Sequence, residues 1–330
     1  MVNYRVVITD LSNNQLGELI GFKDLTFKKV RNREGDCTVV ISVKNESLTS
    51  NLIQLGQRDM YIYRNDDIVW GGRLMNYSGM ITGGDDVITL VTQGFFALLK
   101  KRYTSLGFTN TDAGNIAWGW INANNPGFTL GTIVPSGNHD RNPEYGNIYE
   151  EIIQLTEIKN GIDVEVTQTK VFNSYFPQGT DKSADVVFSW GKNIDRIEYS
   201  NDFSDPVNQA IVLGGGFGDA MIVETRNNTA LQADYGLQQE TIPYKNVEET
   251  ALLQAKGDKE IIRRGLPRRN YKIYQTPETD PEWTSLVLGD WVRTDVDYGC
   301  ISIHDAVRIN SIEVTYRDGV EYPAYSFIYD

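Results

Sequence analysis

Only two imidazoles, His139 and His304, are available in this sequence to act as a general base, and an aspartate follows each one, Asp140 and Asp305. A hydrolytic triad needs such a base beside a serine nucleophile, and no Gly-x-Ser-x-Gly turn exists to present one. His139 falls in a long polar loop and His304 between two C-terminal strands, so both read as surface-loop histidines. The same scarcity excludes a His-rich zinc site. Neither His-Glu-x-x-His, Cys-x-x-Cys nor a calcium loop of the form Asp-x-Asp-x-Asp-Gly occurs, so no metal and no cofactor is expected. Cys37 and Cys300 are too few for a disulfide framework and read as two ordinary buried thiols.

Glycoside cleavage needs only two carboxylates, and Asp85-Asp86, Glu150-Glu151 and Glu248-Glu249 are formally available. With 44 acidic residues such pairs arise by chance. Neighbouring side chains also point apart on a strand or a helix, so no catalytic residue is assigned. The run Gly214-Gly215-Gly216-Phe217-Gly218 invites comparison with phosphate-cradling loops. Asp219 stands where the dinucleotide form needs glycine, and the residues after it read as strand, so the run is expected to be a mobile turn between strands.

The elements that would position these residues are mostly β. From Tyr4 to about Gln93, short apolar runs alternate with Asn, Asp and Gly, predicting strands at Tyr4 to Thr9, Gln15 to Ile20, Leu25 to Arg31, Cys37 to Val43, Met60 to Tyr63, Ile68 to Tyr77 and Val87 to Thr92. Turns are expected at Asn65-Asp66-Asp67 and Gly83-Gly84-Asp85. Phe95, Phe96, Leu98 and Leu99 suit one or two helical turns, with Lys100 to Arg102 at their C-terminus.

Beyond Tyr103 the texture changes. Thr111 or Asp112 can cap a helix carrying Ile116, Trp120 and Ile121, ended by Asn125-Pro126-Gly127. Asn147, with Glu150 three residues on, can cap a second helix ending at Asn160-Gly161. Strands resume from Ile162, and one further helix runs from a capping pair Asn246 and Glu249 to Gly265. The expected fold is mainly β with an α+β insert: a first tube-like barrel over 1-103, an inserted unit over 104-195, and a second barrel with one packed helix (246-264) over 196-330. Leu55-Gly56 before Met60 to Tyr63, and Leu288-Gly289 before Trp291 to Asp295, form a faint echo that a twice-used barrel or chance likeness between hairpins would explain.

A chain of 330 residues exceeds what one core usually supports, and 18 Tyr, 12 Phe and 6 Trp supply bulky material for cores and interfaces. Its formal charge of -13 argues against a surface that grips nucleic acid or anionic lipid through phosphates, while allowing nucleic acid to pass without sticking. No apolar stretch approaches the roughly 20 residues of a spanning helix. The opening MVNYRVVITD lacks a secretory pattern, so synthesis in a cytoplasm is expected.

Taken in order, several phrases resemble the hub proteins at the tips of phage tails and of contractile injection machines. They are Ile68-Val69-Trp70-Gly71-Gly72-Arg73-Leu74, then Asp86 to Thr92 with Phe95 to Arg102, then Ser204 to Gly214, then Leu288-Gly289-Asp290 within Leu286 to Val292, and Arg308 to Asp318 as a closing hairpin. The resemblance implies two tube-like antiparallel β-barrels joined by an inserted domain. It also implies a homotrimeric ring that continues the tail tube, with a distal tail ring protein and tape measure protein as neighbours on one side. A spike, fibre or tail lysin would lie on the other. Ser204 to Gly214 would re-enter the barrel region, and with Asp330 close behind the last barrel motif, any spike or lytic domain is expected on a separate polypeptide. DNA would slide through such a ring without specific binding, and acidic walls would repel it. The rival expectations are a distal tail or receptor-binding component that stacks Trp118 or Trp120 on cell-wall sugars, and a cell-wall glycosidase.

Overall fold

The computed structural model describes residues 2–84, 86–124, 126–158, 161–245 and 247–328. The parts of the sequence reading that fell on Asp85, Asn125, Asn160, Asn246 and Asp330 therefore lie outside the described residues.

The protein is mainly β, and thirteen of its strands form one continuous sheet. Strands between Tyr4 and Gly94 occupy one end and strands from Val187 onward the other, and the two groups meet where Ile301–Arg317 pairs with Asp24–Val30. In that register Ser311 lies opposite Val30 and Arg317 opposite Asp24. Period-two alternation explains which residues face inward. Leu25 and Phe27, Val39 and Ile41, and Val307 and Ile309 are all wholly enclosed in one shared core. Each such side chain contributes roughly 1.5 to 3 kcal/mol by leaving water.

The predicted strand Tyr4–Thr9 forms with those bounds, and the next six predicted runs form strands with ends shifted by a few residues. The turn expected at Asn65 is real, with Asn65 in the left-handed region at φ 55°. The faint echo is also physical. Gly56 N–H donates to the Leu74 carbonyl at 2.8 Å, and Gly289 N–H donates to the Ile309 carbonyl at 2.8 Å. Leu74 N–H in turn donates to Arg58 O and Ile309 N–H to Asp290 O, each at 2.9 Å. Both glycines hold positive φ, 71° and 86°, so the same lasso is built twice.

Helices α1 (Ala113–Asn124) and α2 (Ile148–Glu157) pack beside a three-stranded sheet of Thr129–Ile133, Val171–Tyr175 and Asp163–Val166. Asp112, not Thr111, caps α1: its Oδ1 accepts from Gly114 N–H at 3.0 Å and Asn115 N–H at 3.4 Å. Asn147 caps α2 as its spacing predicts, accepting from Glu150 N–H. Phe95–Lys101 forms 3-10 turns that bury Phe95, Phe96 and Leu99, and these residues join Trp120, Ile152 and Phe172 in a second core. This unit sits close against the large sheet: a β-carbon at Gly71 would lie 2.5 Å from the Gln168 carbonyl oxygen. Val187–Ser189 already belongs to the large sheet, where it runs parallel to Trp291–Tyr298.

One expectation fails. Gln209–Leu213, read as re-entering the barrel, is instead the central strand of a separate three-stranded sheet between Val223–Asn227 and Gln239–Pro243. Its alternating Ala210 and Val212 fit any half-covered sheet, so the pattern specifies a strand without specifying its partner. The short helix α3 (Thr229–Tyr235), capped by Asn228, escaped the sequence reading because it buries no residue. The last helix, α4 (Thr250–Arg264), starts at an N-cap of Glu249, whose side chain makes no capping bond.

Candidate functional site

The histidines sit on strands rather than in loops. His304 lies within Ile301–Arg317, opposite Asp295 of the neighbouring strand, with Nδ1 3.4 Å from Asp295 Oδ1 and Nε2 3.0 Å from Asp297 Oδ1. Ser302 Oγ donates to the same Asp297 oxygen at 2.8 Å. Serine, histidine and aspartate are thus gathered, but the carboxylate stands between the other two, which is the wrong order for a base to activate a nucleophile. The hydrogen bond to Asp297, followed by that to Asp295, pushes this exposed imidazole above its usual range. His139 lies within Asn138–Arg141, opposite Thr111, and burial followed by the Arg141 charge lowers its pKa.

The acidic pairs perform local structural work. Asp86 Oδ1 accepts from Thr82 N–H at 2.7 Å and Gly83 N–H at 2.9 Å, which closes a turn. Glu150 and Glu151 lie in the first turn of α2, and Glu249 is the N-cap of α4. The glycine run joins two strands, with Gly214 N–H donating to Ile222 O at 2.7 Å and Gly215 N–H to Val247 O at 2.8 Å. Those amides are committed to backbone, and Phe217 stands 90% exposed at the tip.

Trp120 is wholly enclosed, its Nε1–H donating to Leu106 O at 2.8 Å, so it offers no face to a sugar. Trp118 is partly buried and stacks on Phe172 at 6.2 Å. Cys37 is buried as expected, but Cys300 is exposed. It occupies the tip of the hairpin between Trp291–Tyr298 and Ile301–Arg317, beside Gly299 at φ 60°, where a two-residue turn leaves no cover.

The most constrained site is a junction that the sequence did not reveal. Arg308, on the last long strand, donates through Nη2 to Asp163 Oδ2 at 2.6 Å and to Gln178 O at 2.7 Å, and through Nε to Gly289 O at 3.0 Å. Asp163 also accepts from Asn32 Nδ2 at 2.8 Å and Gln178 N–H at 2.9 Å, with Arg31 Nη1 3.4 Å away. Burial pushes the Asp163 carboxyl up, but Arg31, the Gln178 amide, Arg308 and Asn32 outweigh it and hold the group below the usual carboxylate range. A second junction joins the ends of the chain: Glu321 accepts from Tyr4 Oη at 2.5 Å, Arg64 Nε at 2.8 Å and Trp283 Nε1 at 3.1 Å. A third ties Lys170 of the helical unit to the fully buried Asp59 at 2.8 Å. Polar contacts thus brace the fold where its parts meet.

Among the described residues several strands of the large sheet are paired on one side: Gln15–Leu19 with Tyr4–Thr9, Val187–Ser189 with Trp291–Tyr298, and Ile194–Asp202 with Arg268–Gln275 apart from one bridge between Ile194 and Trp190. Met75, Tyr77 and Met80, on the outer part of Asp67–Met80, and the adjoining Ile81 are also exposed. No His, Cys, Asp or Glu cluster suited to a metal occurs among the described residues, and none of their helices is long and apolar enough to cross a membrane.

No protein-family model matches the sequence, and no curated protein matches it. Solved structures do. The 43 kDa tail protein of prophage MuSo2 from Shewanella oneidensis superposes with a TM-score of 0.72 at 12% identity, over 99% of this chain and 98% of that one. A tail protein from Neisseria meningitidis gives 0.73 at 12% identity, over 99% and 97%. The E. coli c3393 protein, a type VI secretion component with structural similarity to the bacteriophage T4 tail proteins gp27 and gp5, gives 0.57 at 9% identity, over 98% and 77%. The chain therefore has the fold of these phage tail and type VI secretion proteins.

Proposed function

We propose that this protein is the structural hub at the tail tip, or baseplate, of a tailed phage. The observation that carries the reading is the end-to-end superposition on the Shewanella tail protein, which covers 99% of this chain and 98% of that one. In this reading the large-sheet strands of 1-103 curl into one tube-like barrel and those from Val187 onward into a second, the helical unit after 103 is the insert, and the small sheet with α4 stands apart from both. Three copies form a ring that continues the tail tube. A distal tail ring protein and the tape measure protein adjoin it on one side and a spike, fibre or tail lysin on the other. It is assembled in the host cytoplasm and retained in the virion.

Strands paired on one side, such as Gln15–Leu19 and most of Ile194–Asp202, suit assembly, because a neighbouring copy can pair the free side. The charge of -13 suits a passage for DNA, since phosphates are repelled rather than held. The role is non-catalytic, consistent with Asp297 standing between Ser302 and His304. The test is genetic and chemical. Interrupting the reading frame in the phage that carries it is expected to yield filled heads without finished tails, and mass spectrometry of wild-type tails is expected to find the chain. Complete, infectious tails lacking the chain would refute the proposal.

A further inference from the structure

Arg141 is a buried cation that no carboxylate of the described residues meets at salt-bridge distance. It is 6% exposed and has no ion-pair partner among the described residues. Its Nη1 donates to Tyr244 Oη at 2.9 Å, while Nε and Nη2, the two parallel donors along one edge of the guanidinium, are enclosed and meet no protein acceptor. His139, two residues earlier on the same strand, also has an enclosed Nε2 without a protein partner, and so does Ser136 Oγ. Nearby carboxylates do not fill the role. Asp112 is used by the backbone amides of Gly114, Asn115, Ser136 and Gly137, Asp140 by Asn110 N–H, and Glu151 makes no ion pair with Arg141. Burial pushes the Glu151 carboxyl up and the Arg141 charge pulls it back, but no hydrogen bond joins the two, so Glu151 leaves the Nε and Nη2 donors unmet.

A buried guanidinium with unmet donors is unfavourable until an acceptor meets them, and an anion also balances its charge. That edge has the spacing of two oxygens on one atom, the geometry of carboxylate and phosphate. We infer that Arg141 and His139 form a binding site for a small oxyanion. The site lies in the seam between the helical unit and the unit carrying α4, spanned by Arg141 to Tyr244 and by Lys259 Nζ to Thr156 O at 3.0 Å. Enclosure of the donors restricts the occupant to a small ion. Inorganic phosphate and a simple carboxylate share the required chemistry.

The test is thermal unfolding of the full chain in sodium phosphate, sodium acetate or sodium chloride at matched pH and ionic strength. One oxyanion or both are expected to raise the midpoint by about 2 °C or more over chloride. Arg141→Gln loses that increment and His139→Gln reduces it. A response to phosphate alone identifies a tetrahedral ion, and a response to acetate identifies a carboxylate. Should Arg141→Gln fail to fold, crystals of the wild-type chain soaked in selenate provide the second measurement, with an anomalous peak expected within hydrogen-bond distance of Arg141 Nε and Nη2. Equal midpoints in all three salts, an increment that survives Arg141→Gln, or no selenium peak at the guanidinium would overturn the inference.

Discussion

Arg308 and Asp163 stand 145 positions apart in sequence and 2.6 Å apart in the fold. Both are buried, and through Gln178, Gly289 and Asn32 they bring the helical unit, the last long strand and the first sheet segment to one point. This contact ties those parts together at the seam. Replacing Arg308 with Met leaves Asp163 short of one partner in a dry site and is expected to cost about 3 kcal/mol. Denaturant unfolding checks this, and an unchanged midpoint would show the contact to be ornamental.

Two buried carboxyls, Asp163 and Glu321, contribute to the response of the fold to acid. Asp163 and Glu321 are both pushed up by burial, yet their partners prevail and hold them below the usual range, Arg64, Tyr4 and Trp283 doing so for Glu321. A carboxyl lowered in the folded state stabilises the fold above its unfolded pKa of about 4, and that contribution is lost as pH falls toward the folded value. The contribution of these two carboxyls is therefore expected to be level above about pH 5 and to decline below about pH 4. Asp163→Asn is expected to flatten the decline in a series of unfolding midpoints.

The two tryptophans of α1 separate packing from recognition. Trp120→Ala empties a fully enclosed site and is expected to cost about 3 to 5 kcal/mol, whereas Trp118→Ala, half-open beside Phe172, costs less. Calorimetry on the two variants gives the order. Equal, small losses would mean that Trp120 is not the core residue described here.

Much of the local structure was legible in the sequence because its causes are local. Alternation located Tyr4–Thr9, and the spacing of Asn147 and Glu150 located the start of α2. What escaped depends on partners distant in sequence. Alternation in Gln209–Leu213 assigns faces but not a sheet, and the pairing of Ser311 with Val30 has no local signature. The orphaned donors of Arg141 exist only once Tyr244 arrives from 103 positions away, so no motif could have announced them. The likeness between the Gly56 and Gly289 lassos was visible as a faint echo, and only the matching hydrogen bonds gave it meaning.

Cys300 offers a chemical check on the C-terminal hairpin. It is exposed at the tip, while Cys37 is buried and burial pushes its thiol far up. A thiol reagent at neutral pH is expected to modify one site per folded chain, Cys300, and to reach Cys37 only in denaturant. Modification of both at equal rates in buffer would contradict the burial of Cys37 on a strand flanked by Phe27 on one side and Thr92 on the other.

The ring itself is the central claim, and electron cryo-microscopy of the assembled oligomer and of intact tails addresses it most directly. The account predicts threefold averages with an open axis, located at the tail tip in line with the tube. Single subunits without an axial opening, and tails whose tips contain no density for this chain, would contradict it.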